Sequence, residues 1–285
     1  MSQQIYTFKT LVVGPAAVGK SSLIRRFVEN KFSLNYKFTI GVDFMSKQMS
    51  IDNRFGSELI ICSPLAVVIA AYNEEEGIVP TLCELRQVLN KPHLVVVDGK
   101  SSDQTLELAK DFGADVLIQD GKGKGDAIRE GLEQLNKNTK YVVFTDADYT
   151  YPAGHLKEMI SVLDSDPNVG MVLGDRFSRT YENISDRNQF YMGNKFLAFA
   201  HKLFNGIELN DPYTGLRVIR SEVLRGWKPK SDGFDIEAEL NHRVNYSGYK
   251  IVEVPIQYRK RLGKKKLGFR HGLEILKRII IESFL

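Results

Sequence analysis

The sequence predicts an α/β protein built on a mostly parallel sheet with helices on both faces. Three observations predict it. From Leu65 onward, short apolar runs alternate with stretches of helical periodicity. The apolar runs end in acids or glycines, as strands do when their carboxyl ends form a ligand edge. The 285 residues are 43% hydrophobic and 26% charged, the balance of a well-cored soluble chain rather than a disordered one.

Taken in order, LAVVIAAYNEEE is a buried strand that turns polar, and Pro80 stands early in the helix after it. HLVVVDGKSSDQTLELAKDFG repeats strand, acidic turn and helix. DVLIQ is a third strand, GKGKGDAIREGLEQLN a glycine-rich loop and helix, and YVVFTDADYTYP a fourth strand. The predicted ligand edge therefore carries Tyr72–Glu76, Asp98–Asp103, Gln119–Gly125 and Asp146–Asp148. Two aspartates one residue apart at a strand end, Asp146 and Asp148, suit a shared Mg²⁺ or Mn²⁺, which prefers hard oxygen ligands. A solvated turn with two surface acids is the plainer alternative. The apolar lead-in YVVF favours the ligand edge.

The first 63 residues read differently. YTFKTLVVG runs into GPAAVGKSS, a strand entering a G-x-x-x-x-G-K-S loop, and GKSSLIRRFVENKF continues as a helix. In such a loop backbone N–H groups approach phosphate oxygens, Lys20 neutralises them and Ser21 can hold Mg²⁺. Together with NYKFTIGVDF, this segment resembles the opening of Ras-like small GTPases, the Rab type in particular, and Thr39 falls at the position that senses the terminal phosphate. ELIIC, at 58–62, resembles the start of that family's next strand, but SPLAVVIAAYNEEE follows in place of the Asp-x-x-Gly turn. The Asn-Lys-x-Asp guanine motif and the Ser-Ala-Lys loop are absent from the sequence as well. Phosphoryl transfer depends on positioning and electrostatics, so a loop without these parts is not expected to hydrolyse nucleotide efficiently.

Residues 65–285 resemble family 2 glycosyltransferases of the GT-A fold, and among them the dolichyl-phosphate hexose synthases. AAYNEE matches the family's nucleotide-cradling opening at Tyr72 and Glu74, and VVVDGKSSDQT its second strand, where Asp98 would hold the donor base. GKGKGDA matches the lysine-glycine loop, with Lys122 near the donor, and DADYTYP the metal site. GDRF carries Arg176; DPYTGLRVIRSEVL, GFDIEAEL and VPIQYRKRLGKKKL complete the series. Lys265 stands where the family has serine, Gly99 and Lys100 where further acids are common, and Thr150 where some relatives offer an amide.

The resemblance implies an inverting transfer of a hexose from a nucleotide-diphosphate sugar to a polyprenyl or dolichyl phosphate, of the kind that feeds protein glycosylation. It places Asp146 and Asp148 on the metal, Arg176 on the acceptor phosphate, and Arg259 or Arg261 on the donor diphosphate. UDP-glucose, UDP-N-acetylglucosamine and GDP-mannose remain open as donors, although GKGKG looks more like the UDP-sugar branch. Asp235, Glu237 and Glu239 could line the site, but surface carboxylates on a helix are the commoner explanation.

The domain division expected from sequence is an incomplete P-loop β-α-β segment at 1–63, a GT-A domain at 64–258, and a basic loop with an amphipathic helix at 259–285. The net charge of +4 is concentrated in that last part, where nine Lys or Arg between Arg259 and Arg278 meet one acid, Glu274. FRHGLEILKRIIIESFL brings Leu273, Leu276, Ile280 and Phe284 near one helical face, and residues 187–206 form a second aromatic-rich amphipathic candidate. No apolar run approaches the ~20 residues of a membrane span, and the start lacks a cationic-then-apolar signal sequence. The two cysteines, Cys62 and Cys83, read as reduced. The expected location is cytoplasmic, peripheral on a membrane. The alternatives are a Rab-like GTP-binding protein using Lys20 and Ser21, or a transferase acting on a sugar hydroxyl. A processive synthase would carry Gln-x-x-Arg-Trp, which is absent, and no nucleic-acid-binding module is recognised.

Overall fold

The computed structural model describes residues 65–178, 187–266 and 268–284. Its elements run β1 (Leu65–Ala71), α1 (Ile78–Val88), β2 (His93–Asp98), α2 (Thr105–Phe112), β3 (Asp115–Ile118), α3 (Lys124–Glu133) and β4 (Tyr141–Asp146). A 3₁₀ turn (Ala153–His155) leads into α4 (Leu156–Ser165), β5 (Val169–Asp175) and α5 (Arg187–Asn205). Then come β6 (Arg217–Arg220), α6 (Ser221–Leu224), α7 (Ile236–Tyr246), β7 (Lys250–Pro255) and α8 (Phe269–Glu282).

The strands form one sheet in the order β3-β2-β1-β4-β6-β5-β7. All neighbouring pairs are parallel except those of β6, which runs antiparallel to both β4 and β5. The sheet is thus mostly parallel, as expected, with one reversed strand inside it. Because β6 reverses twice, β5 again points the same way as β4. Register then decides what meets at the edge: Ala71 pairs with Asp98 and Ala70 with Asp146, so three strand ends finish level.

Strand periodicity divides the core between two faces. Val67, Ile69, Val96 and Val143 pack with Ile78, Leu82 and Leu85 of α1 and with Leu156, Met159 and Leu163 of α4. Val68, Val142, Phe144 and Ile219 face the other way, toward Ile128 of α3 and Ile236, Leu240 and Val244 of α7. The buried residues of α1 fall at i, i+3, i+4 and i+7, the one-sided stripe of a covering helix. Each such side chain contributes about 1.5–3 kcal/mol relative to exposure. Helix α8 closes a smaller core with α5 and α7, where Ile275 and Ile279 meet Leu197, Ala200, Tyr213 and Ala238.

One buried charge organises the segment between α5 and β6. Arg217, almost wholly enclosed, donates to the carbonyls of Pro212 (3.2 Å), Thr214 (2.7 and 3.3 Å) and Glu237 (3.4 Å), and to Asn241 Oδ1 (3.2 Å). A buried guanidinium is tolerable only when its donors are met, and here backbone carbonyls meet most of them. Replacing Arg217 by Met strands these acceptors, each costing about 1–3 kcal/mol if left dry. The expected loss is roughly 3 kcal/mol in urea unfolding. An unchanged midpoint would mean that the carbonyls are readily rehydrated and that Arg217 does not hold the segment.

Candidate active site

The edge where β1, β2 and β4 finish level is made polar by the residues just beyond them. After Asp146 the chain turns back sharply, with Tyr149 in the left-handed region at φ 64°. Two glycines make room for this turn. A Cβ on Gly77 would lie 2.5 Å from the Ala147 carbonyl oxygen and 2.7 Å from Asp148 Cα, and one on Gly215 would lie 2.5 Å from Asp146 Oδ2. The turn is tied down from below, where Thr81 Oγ1 accepts the Tyr149 N–H (3.1 Å). Asp148 Oδ1 accepts both the N–H (3.1 Å) and the hydroxyl (2.6 Å) of Thr150.

Each aspartate of the turn meets a cation brought from elsewhere. Lys124, the first residue of α3, sets its Nζ 2.7 Å from Asp146 Oδ1 and 2.8 Å from Glu237 Oε1 on α7. Arg261 donates from Nη1 to Asp148 Oδ2 (2.7 Å) and from Nη2 to Glu74 Oε1, which Lys266 also reaches. Burial raises the Asp148 carboxyl above its ordinary range, and the neighbouring Asp146 charge adds to the rise. Burial pushes Asp146 upward too, but the Lys124 ammonium outweighs it and holds that carboxyl low. Lys124 is likewise held above its ordinary value, since Asp146 and Glu237 outweigh the cost of its burial. Glu74 is raised by burial despite its two cations, and its Oε2 has no hydrogen-bond partner.

Arg176 follows the end of β5. Its Nε and Nη2 form a two-pronged contact with Asp211 (both 2.7 Å), and Nη2 also reaches the Tyr213 carbonyl (3.3 Å). Asp211 is oriented in turn by Glu253 of β7, whose carboxylate accepts the N–H groups of Asn210 and Asp211 (both 2.7 Å). Asp98 lies buried at the end of β2, with one oxygen taking the Ser101 hydroxyl (2.5 Å) and the other the Ser101 N–H (2.9 Å). Tyr72 is half exposed beyond β1, its ring centroid 5.9 Å from Lys266 Nζ.

The other expected site residues are distributed as follows. Lys122 lines a cavity of about 410 Å³ with Lys230, Lys277 and Arg278. Lys124, two residues on and not singled out by the sequence pattern, is the lysine that reaches Asp146. Arg259 makes a two-pronged contact with Glu84 of α1 (2.7 and 2.8 Å) and lies 4.4 Å from the Tyr149 ring centroid. Lys20 and Ser21 of the glycine loop, with Thr39 and Cys62, lie outside the described residues. The expectation of surface carboxylates on α7 needs correcting for Glu237 and Glu239, both buried. Glu237 pairs with Lys124, and Glu239 accepts the N–H groups of Lys230 (2.8 Å) and Ser231 (2.7 Å). Partners distant in sequence draw these two acids inward.

Comparison with known proteins finds likenesses to two families, each over a different part of the chain. A model of the Ras family matches residues 9–61. The chain is 35% identical over 220 residues to the dolichyl-phosphate hexose transferase of Haloferax volcanii, covering 76% of this chain and 92% of that protein. It is 32% identical over 194 residues to glycosyltransferase AglJ of the same organism, covering 68% of this chain and 62% of AglJ. Among solved structures, glucosyl-3-phosphoglycerate synthase from Mycobacterium tuberculosis, in complex with Mg²⁺ and UDP, shares the fold. Its TM-score is 0.62 at 19% identity, over 78% of this chain and 79% of that one. The model of glycosyl transferase family 2 matches residues 66–227, and with these relatives it shows that the chain belongs to that family and is a glycosyltransferase.

Proposed function

We propose that the chain moves a hexose from a nucleotide-diphosphate sugar to the phosphate of a polyprenyl lipid, with inversion at the sugar carbon. The observation that carries this reading is the acid pair at the end of β4, on the same sheet edge as the Arg176–Asp211 pair that follows β5. One part of the edge suits a donor diphosphate with its cation, and the other suits an acceptor anion. The dolichyl-phosphate hexose transferase at 35% identity supports the lipid phosphate as acceptor.

Asp146 and Asp148 fit a divalent ion. Among the described residues no three His, Cys or acidic groups gather into a protein-only metal cage. Mg²⁺ and Mn²⁺ commonly use one or two carboxylates and complete their shell with substrate phosphates and water. The close approach of Lys124 and Arg261 supports a site at which positive charge is held on these two acids. Bound there, the ion supplies Lewis-acid charge to the leaving diphosphate.

The protein's own groups do the rest. Asp98, fixed by Ser101, and the half-exposed Tyr72 stand where the donor's nucleoside would enter. Arg261 and Lys122 add positive charge for the diphosphate, while Glu74 keeps Arg261 in place. Arg259, bound to Glu84, anchors the segment that delivers Arg261. Among the described residues, Arg176 Nη1 is the guanidinium nitrogen not engaged by Asp211 or Tyr213, which leaves it for the acceptor phosphate; guanidinium suits such contacts. A phosphate monoester has its second pKa near ~6 and is largely ionised at neutral pH, so a single displacement needs no strong general base. The donor's sugar and nucleotide stay within the UDP-glucose, UDP-N-acetylglucosamine and GDP-mannose set.

A lipid acceptor calls for contact with a membrane surface. Met192, Phe196, Phe199 and Leu203 of α5 are spaced to share one helical face, and each is 59–65% exposed. Helix α8, packed beside α5, exposes Leu273 and Ile280, and Phe284 just beyond its end is exposed as well. Side chains that large are seldom grouped on a surface without a partner. With Lys277 and Arg270 close by in sequence, the two helices suit peripheral docking on an anionic leaflet. No helix among the described residues is long and apolar enough to cross a membrane.

Two outcomes test this function. With Mn²⁺ or Mg²⁺, polyprenyl phosphate and labelled sugar nucleotides, label is expected in the lipid phase, and Asp148→Ala is expected to lower the rate at least ~100-fold. Undiminished transfer by that variant would remove the acid pair from the reaction. Paired Phe196→Asp and Phe199→Asp changes are expected to abolish co-sedimentation with anionic vesicles while turnover of a short, water-soluble prenyl phosphate stays within about twofold. Equal loss on both acceptors would instead make α5 a structural element of the site.

A further inference from the structure

The contacts of Lys124 exceed what a donor-binding lysine requires. Its ammonium lies on Asp146, one of the two acids proposed to hold the divalent ion, and is retained by a second buried carboxylate, Glu237. Arg261 repeats the pattern on the other acid, bridging Asp148 and Glu74. Each acid of the pair is therefore held by a side-chain cation that has another carboxylate to keep. An ammonium and a divalent ion cannot both sit closely on one carboxylate oxygen without strong repulsion. If the ion binds Asp146, Lys124 must withdraw, and its nearest remaining anions are Glu237 and an arriving diphosphate.

We propose that Lys124 is a resident counter-ion that competes with the divalent metal for Asp146 and releases it when the donor diphosphate gives the lysine a new partner, with Glu237 as its tether. This inference rests on the acid-pair reading of the site and adds an order of events. The metal alone binds poorly, and the diphosphate and metal bind best together. By linkage, whatever draws the lysine off Asp146 tightens metal binding by the same factor that the metal tightens its own. Lys124 is a positioning residue in this account. It sets when the ion binds, and Glu237 keeps it within reach.

The test is direct binding of Mn²⁺ to the full chain, followed by the electron paramagnetic resonance signal of the free ion, without nucleotide and then with UDP or GDP. Without nucleotide, Lys124→Met is expected to bind Mn²⁺ about tenfold more tightly than the parent, the gain when a site nine-tenths occupied by a competitor becomes free. Because Lys124→Met leaves Glu237 buried and unpaired, K124M/E237Q serves as a second variant that removes the pair together. It too is expected to bind Mn²⁺ more tightly than the parent. Adding nucleotide should narrow the gap, since it tightens the parent more than either variant. Mn²⁺ binding by both variants that is equal to or weaker than the parent's overturns the counter-ion role and identifies Lys124 as a plain site component. Asp148→Ala separates the two levels of the argument. If it abolishes Mn²⁺ binding while the lysine variants gain nothing, only the competition fails. If it leaves Mn²⁺ binding intact, the acid-pair reading fails with it.

Discussion

Two carboxylates separated by one residue at the end of a buried strand repel each other, and much of the surrounding architecture answers that repulsion. At an effective dielectric of ~20, unit charges ~5 Å apart interact by about 3 kcal/mol, enough to unsettle a turn unless cations stand close. The cations come from opposite directions. Lys124 arrives on the first turn of α3, and Arg261 arrives on the segment after β7, 113 residues beyond Asp148. Bringing them in requires each to be retained by a second acid, and those acids come from α7 and from the loop after β1. The charges thus join the β1 loop, the α3 start, α7 and the segment after β7 around one turn. The backbone joins them too: the Arg259 N–H meets the Thr150 carbonyl (2.9 Å), and the Leu262 N–H meets that of Asp148 (3.1 Å).

A second chain of polar contacts orders the edge around Arg176. Burial raises the Glu253 carboxyl, and two backbone N–H groups pull the other way. Those N–H groups fix Asp211, and Asp211 holds two guanidinium nitrogens of Arg176. The arginine is therefore positioned before any ligand arrives, which is the condition under which a charged group assists without reorganising. Arg217 contributes from beneath by holding the carbonyls of Pro212 and Thr214, on either side of Tyr213. Three elements far apart in sequence converge on this arginine.

What the sequence made legible was what periodicity and strand ends encode. The strands that open as LAVVIAA, HLVVVD, DVLI and YVVFTD, and the acids closing them, lie where apolar runs and polar breaks put them. The reversed strand β6 was not legible, for physical reasons. Arg217–Arg220 is four residues long and has arginine at both ends, so neither length nor alternation marks it. Arg217 is buried because loop carbonyls wait for it, which is a tertiary fact. Likewise GKGKG offers two lysines, and the sequence does not say which one faces the acid. The first residue of α3 is Lys124, and that single placement turns it inward and leaves Lys122 exposed at a cavity. Glu237 and Glu239 read as surface acids because their partners, an ammonium on α3 and two N–H groups of the loop before α7, are invisible to local pattern.

Helix α5 shows how one element can serve both sides of this arrangement. Its outer face carries Met192, Phe196, Phe199 and Leu203. Between them, on the inward side, Lys195 lies 5.4 Å from the Phe177 ring centroid and 5.6 Å from that of Tyr191, and donates to the carbonyl and side-chain oxygens of Asn210. Asn210 bonds to Asp175 (2.6 Å) and precedes Asp211, so the lysine on the apolar helix touches the segment that fixes Arg176. A helix with only an apolar outer face could shift along a lipid surface with no effect on the sheet edge. This one is hydrogen-bonded to the loop that fixes Arg176. Its place at the surface and the orientation of the arginine are therefore constrained by the same few residues.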